Sequence, residues 1–321
     1  MIQASAPGKL MLAGEYVVAT GRTPALSVSV GPRASVRFVG NSALGWRIDA
    51  PELGLVGARL DKVPMFAEAV GLFPGAPPAR VEIRSELGAG PRKPGLGASS
   101  AVCVAACRAL AAHTGRPMPS LAQLVSAHRR GQGGVGSGYD VATALLGGLV
   151  MFRPGSGPNA EPITEHLEWP EGLHAAVFYS GAGGSTRELL ERVGAWRLDD
   201  VDSFEACIDP LAAETDAFIE AFRGGDVARI LTQAAQLQEE LTFFDRVGEL
   251  GILPLGPSQL AGAIEDAGAI ARTSGAGGGD CMWALSDDPA IIERASDAAA
   301  ELGFARLDVE LAGPGARLDA E

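Results

Sequence analysis

Cysteine and histidine are scarce in this chain, with four of each in 321 residues. The cysteines, Cys103, Cys107, Cys207 and Cys281, form no CxxC pair, and the histidines show no metal-ligand spacing. Neither a disulfide framework nor a zinc site is therefore expected, and the thiols read as buried groups of a reducing compartment. Basic residues are also few: 26 Lys and Arg stand against 39 Asp and Glu, a formal charge of −13. That balance leaves no net basic face for nucleic acid or an anionic membrane. No apolar run approaches the roughly 20 residues that span a bilayer. The first residues, Met1 to Pro7, lack a basic region followed by an apolar core, so no signal peptide is expected. These absences point to a cytoplasmic protein without nucleic-acid or membrane partners; a monomer or a homodimer is expected, and the sequence does not choose between them. Two nucleotide-binding signatures are missing as well. GxxxxGK[ST] does not occur, and GxGxxG fails at Gly275 to Asp280, at Gly134-Val135-Gly136 and at Gly181-Ala182-Gly183.

Apolar residues make up 47% of the chain, enough for a well-buried core in one large or two modest domains. Alternating small and branched residues predict strands at 2–6, 9–14, 25–30, 35–39 and 81–85. Helical spacing follows at 61–73, 99–114, 121–130 and 139–146, then a strand at 147–152. Residues 153–162, rich in Pro, Gly, Ser and Asn, are the candidate linker between domains 1–160 and 161–321. The second half reads as a strand at 174–179, helices at 186–196, 203–222, 226–244 and 257–267, strands at 269–272 and 281–285, a helix at 289–302 and a strand at 305–309. That order predicts an α+β architecture with an antiparallel sheet in the second domain.

Three glycine-rich segments carry the chemistry: Ala6-Pro7-Gly8-Lys9, Pro91 to Ala101, and Ser274 to Asp280. Gly95 and Gly97 allow backbone to approach phosphate oxygens without a Cβ clash. The helix that begins near Ala98 points free N–H groups and its positive dipole end to the same place. Ser99 and Ser100 offer hydroxyls for Mg2+ or phosphate, and Arg92 and Lys93 add charge. A capped buried helix after a turn is the structural alternative for this segment. Lys9 can offset charge on a transferring phosphoryl group, or it can be a solvated surface lysine. Asp140, after Gly136-Ser137-Gly138-Tyr139, is either a helix N-terminal carboxylate or one aimed at an acceptor. The glycines of 275–279 carry an entropic cost that asks for a reason, and Arg272 before them adds a cation.

In order along the chain, the three segments resemble those of the GHMP kinase superfamily. Pro91, Gly95-Leu96-Gly97 and Ser99-Ser100-Ala101 are similar to its PxxxGLGSS-type motif. Ala6 to Lys9 with Gly14-Glu15-Tyr16 is similar to its N-terminal motif, and Ser274 to Cys281 to its C-terminal one. The resemblance implies a two-domain GHMP kinase fold, with a ribosomal S5 domain 2-like N-terminal domain and a ferredoxin-like C-terminal domain. Within the superfamily the chain is most similar to phosphomevalonate kinases, on Gly14 to Val18, Gly136 to Ala142, Gly184 to Leu189 and Gly275 to Cys281.

By that resemblance the protein moves the γ-phosphoryl group of ATP, with Mg2+, onto the phosphate of phosphomevalonate. Lys9 then stabilises the transferring group and Asp140 orients the acceptor or metal. Lys93, Gly95, Leu96, Gly97, Ala98, Ser99 and Ser100 hold the nucleotide, with Ser99 on the metal. Ser137, Gly138, Tyr139, Arg187, Arg272, Ser274, Gly275, Ala276, Gly277 and Gly278 surround the acceptor and the γ-phosphate. Ala98 stands where the motif has its first serine, and Arg272 where bacterial relatives tend to carry lysine. A mevalonate-type acceptor and a non-catalytic nucleotide sensor on the same fold are the alternatives.

Overall fold

The structure is a computed structural model that describes residues 2–88, 94–157, 160–180 and 186–320. Its backbone falls into two compact units with an interleaved chain. Residues 1–10, 27–166 and 310–321 form the first unit, and residues 11–26 and 167–309 the second. The composition suggests a single boundary at 160, whereas the chain passes between the units four times.

The first unit is built on a sheet in the order β12-β1-β2-β5-β3-β4, with β6 added to β2 and β7 to β6. These strands are β1 Ile2–Ala13, β2 Ala25–Asn41, β3 Arg47–Ala50, β4 Leu55–Ala58, β5 Ala79–Ser85, β6 Leu149–Arg153, β7 Ile163–Leu167 and β12 Arg317–Leu318. Pro7-Gly8 does not interrupt β1. A Cβ on Gly8 would lie 2.4 Å from Leu87 Cδ2 and 2.7 Å from Leu96 O, so this glycine permits close approach rather than a turn. Gly31-Pro32 likewise lies within β2, which joins the two strands expected there. The expected linker at 153–162 is the connection between the paired strands β6 and β7.

Helices α1 Pro64–Gly71, α2 Ala98–Thr114, α3 Leu121–Gly131 and α4 Tyr139–Leu146 complete this unit. Helix α2 buries Ala101, Cys103, Val104, Ala105, Ala106, Cys107, Ala109 and Leu110, residues from nearly all round its axis. Small side chains let α1, α3 and α4 pack closely against it. Helix α3 starts at a reciprocal capping box between Ser120 and Gln123.

The second unit has an antiparallel sheet ordered β11-β8-β10-β9, from β8 His174–Tyr179, β9 Ile270–Thr273, β10 Cys281–Ser286 and β11 Ala305–Leu307. The first strand of the set lies between the last and the third, which is the ferredoxin-like order implied above. Helices α5 Thr186–Asp199, α6 Val201–Gly224, α7 Val227–Gly248 and α8 Leu255–Asp266 precede β9, and α9 Pro289–Glu301 follows β10. Alternation along β10 fixes the layers. Met282 and Ala284 join Leu260, Ile264, Ile292 and Ala295 of α8 and α9 in one core, while Trp283 packs on Phe218 of α6. No helix among the described residues is long and apolar enough to cross a membrane.

Candidate active site

The first unit brings Lys9 and the second glycine segment together. The backbone N–H of Lys9 donates to Leu96 O at 2.8 Å, and its Nζ donates to Gly95 O at 2.9 Å. The chain has three lysines. Lys62 is exposed on the surface, Lys93 and Arg92 lie outside the described residues, and Lys9 is only 8% exposed. Gly97 is the N-cap of α2, with φ +81°, and no side chain caps that helix. A Cβ there would stand 2.9 Å from Lys9 Cγ and 3.1 Å from Ser100 Oγ, so glycine is what lets the lysine lie against the helix start. The ammonium also sits 5.5 Å from the ring centroid of Tyr139, a cation–π distance.

The two serines after Ala98 have different fates. Ser100 is buried and donates its hydroxyl to Gly97 O at 2.8 Å, inside its own helix turn. Ser99 Oγ accepts from Gln132 Nε2 at 2.7 Å and lies 3.1 Å from His128 Nε2. His128 Nε2 is in turn 3.7 Å from Asp140 Oδ2. Asp140 occupies the first turn of α4, where the helix dipole favours a carboxylate, and its Oδ1 accepts from the N–H of Val141 at 2.9 Å. Ser99, His128, Gln132 and Asp140 therefore form one polar cluster. Arg129 fixes the turn before α4, donating to Gly136 O at 2.7 Å and Ser137 O at 2.8 Å. Gly138 packs its bare Cα on Val125.

Uncapped N–H groups at the start of a 17-residue helix, left-handed glycines and a buried lysine suit a polyphosphate. Among the described residues no group of three or more His, Cys, Asp and Glu could hold a metal alone. Mg2+ is commonly held by one or two protein oxygens together with substrate phosphates. Ser99 Oγ and the Asp140 carboxylate fit that pattern.

The second unit holds the third glycine segment. The N–H of Met11 donates to Ser274 Oγ at 3.0 Å, and the phenol of Tyr16 donates to Ala276 O. The N–H of Gly278 donates to Ile252 O at 2.7 Å. Gly277, at φ +76°, lies where a Cβ would meet Ile252 Cγ2 at 2.4 Å. Arg272 is fully buried, and its Nη2 lies 3.2 Å from each carboxylate oxygen of Glu15, with the guanidinium near Phe218 and Trp283. Its Nε and Nη1 are buried and make no hydrogen bond. Burial pushes the Glu15 carboxyl up and the Arg272 guanidinium down, each shift opposed by the other's charge. Arg187 lies exposed on α5, its Nε 2.9 Å from Glu191 Oε1. Gly184 and Ser185 lie outside the described residues.

Residues 61–148 match the family described as GHMP kinases N terminal domain. The phosphomevalonate kinase of Streptomyces sp. (strain CL190) is 28% identical, covering 88% of this chain and 89% of its own. The mevalonate kinase of Thermococcus sibiricus is 27% identical over 89% of this chain and 90% of its own. The structure of Streptococcus pneumoniae phosphomevalonate kinase in complex with phosphomevalonate and AMPPNP superposes with a TM-score of 0.81 at 20% identity, covering 97% of this chain and 100% of that one. This chain has the GHMP kinase fold.

Within the GHMP kinase fold, three contacts lie beyond the sequence reading. His128 and the C-cap residue Gln132 stand four residues apart at the end of α3, just before the 133–138 glycine run, and that spacing could have placed both on one face of the helix. Glu15 as the partner of Arg272 had no local signal, because 257 residues separate them.

Proposed function

We propose that the protein is a phosphotransferase that moves the γ-phosphoryl group of ATP onto the phosphate of phosphomevalonate. The observation that carries the kinase reading is the buried Lys9 laid against Gly95 and Gly97 at the uncapped start of α2. The acceptor rests on the relatives, among which the Streptomyces phosphomevalonate kinase and the phosphomevalonate-bound streptococcal structure stand beside this chain over most of its length. The mevalonate kinase of Thermococcus sibiricus, at similar identity, favours mevalonate as the second reading.

ATP would supply the phosphoryl group, and Mg2+ would screen its charge. The first-turn N–H groups of α2 and the loop at 95–97 bind the phosphates, and Lys9 offsets charge on the group in transfer. Ser99 and Asp140, held by Gln132 and His128, orient the metal and the acceptor. A phosphate monoester has its second pKa near about 6 and is mostly dianionic at neutral pH, so it hardly needs a base. Asp140, with Oδ1 already accepting from Val141, suits an orienting role. Catalysis is then positioning and charge neutralisation. The 274–279 loop of the second unit is read, by the resemblance, as a phosphate-holding element.

The test is ADP release from MgATP by purified protein, with phosphomevalonate, mevalonate or no acceptor. Release that depends on phosphomevalonate supports the reading. Preference for mevalonate keeps the kinase and replaces the acceptor, while no release with either, despite nucleotide binding, favours a sensor.

A further inference from the structure

The glycine loop at 274–279 is held from outside by the turn that follows α7. Glu249, the C-cap of α7, has φ +50°, and the chain runs on through Gly251 to Pro254. Asp245 lies in the last turn of α7, where the negative end of the helix dipole disfavours a carboxylate. Both its oxygens are nevertheless used. Oδ1 accepts from Ile252 N–H at 2.8 Å and Oδ2 from Leu253 N–H at 3.0 Å. Ile252, fully buried, passes that placement on: its carbonyl accepts from Gly278 N–H at 2.7 Å, and its side chain fills the space a Cβ on Gly277 would need.

Two further contacts converge on the same place. Arg192 of α5 donates to Leu250 O at 2.7 Å. The ring of Tyr16, whose phenol donates to Ala276 O, stacks 5.4 Å from that of Phe244, the residue before Asp245. Burial, then the Asp245 and Glu15 charges, push the Tyr16 phenol up, which keeps it a donor. Tyr16 itself has φ +62°, a conformation that only over-determined surroundings maintain in a non-glycine residue.

We propose that Asp245 is a positioning residue for phosphoryl transfer: it fixes the 250–253 turn, which sets the backbone of the 276–278 loop. The proposal rests on the reading of that loop as a phosphate-holding element. Asp245 touches no reacting group; it acts through Ile252 and Gly278. A carboxylate at the unfavourable end of a helix is explained by this task, because capping two N–H groups of the next turn outweighs its repulsion by the helix end.

The experiment compares the full-length wild type with D245A and D245N by amide hydrogen exchange and by steady-state ADP formation. In D245A, exchange in peptides containing Gly277 and Gly278 should quicken by roughly tenfold or more, while peptides from α2 and β5 keep their protection. kcat should fall by roughly tenfold or more and KM for MgATP by less than about threefold in either direction, because a displaced loop weakens the transition state more than nucleotide binding. D245N keeps one carbonyl oxygen and should recover part of both effects. It serves as the deciding variant if D245A loses protection throughout. Unchanged exchange at Gly277 and Gly278 overturns the proposal, as does faster exchange with unchanged kcat. Wild type that forms no ADP with any acceptor overturns the kinase reading instead, and the exchange result still decides whether Asp245 sets the loop.

Discussion

The ammonium of Lys9 donates to the carbonyl oxygen of Gly95 at 2.9 Å, tying a strand lysine to the loop that precedes α2. On the proposed chemistry its charge is needed at the transferring group. Lys9→Ala should therefore reduce turnover by about a thousandfold, with an unchanged circular dichroism spectrum. Normal ADP release from this variant at saturating substrate would remove Lys9 from the mechanism.

The neighbouring serines separate structure from metal binding. Ser100→Ala loses a buried hydrogen bond to Gly97 O and should cost about 1 kcal/mol of stability in urea unfolding, with its Mg2+ dependence unchanged. Ser99→Ala should keep its stability and need several times more Mg2+ for half-maximal activity. A Mg2+ titration of both variants decides the assignment, and equal responses would refute it.

Glu15→Ala leaves the guanidinium of Arg272 buried and unpaired, and should destabilise the protein by about 3–5 kcal/mol. Replacing both partners by apolar residues, as in Glu15→Leu with Arg272→Met, should recover most of that loss. Turnover by the double variant tells the roles apart. Retained activity fits a buried ion pair, whereas loss of activity in a stable double variant would mean that Arg272 serves the substrate.

If the acceptor is a phosphate monoester, the rate should rise through about pH 6 as the monoanion becomes a dianion. Asp140→Asn should lower that rate by about a hundredfold through lost orientation and leave the rising limb in place. Disappearance of the limb in the variant would make Asp140 the base and point to an alcohol acceptor.

Local patterns were enough where an element satisfies itself. Helix α4 and strand β8 begin and end where spacing alone predicts. Strands β3, β4, β7 and β12 have two to five residues, too few for an alternation of their own to mark them. Pro7-Gly8 reads as a break because turns and close approaches use the same residues, and only the neighbours Leu87 and Leu96 distinguish the two. The glycine segments were visible as candidate phosphate cradles, through the freedom that φ > 0 requires. The cluster of Ser99, His128 and Gln132 was not, because it depends on how α3 lies against α2.

The return of the chain to its first unit has a consequence for synthesis. Strand β12 pairs Leu318 with Ala4 and Arg317 with Ser5, and Arg33 donates to the carbonyls of Pro314 and Gly315. A ribosome adds those partners only after all of residues 167–309 has been made. The sheet edge that flanks the lysine strand thus stays open until then, and nascent protein cannot finish its Lys9-bearing unit before the other has been made.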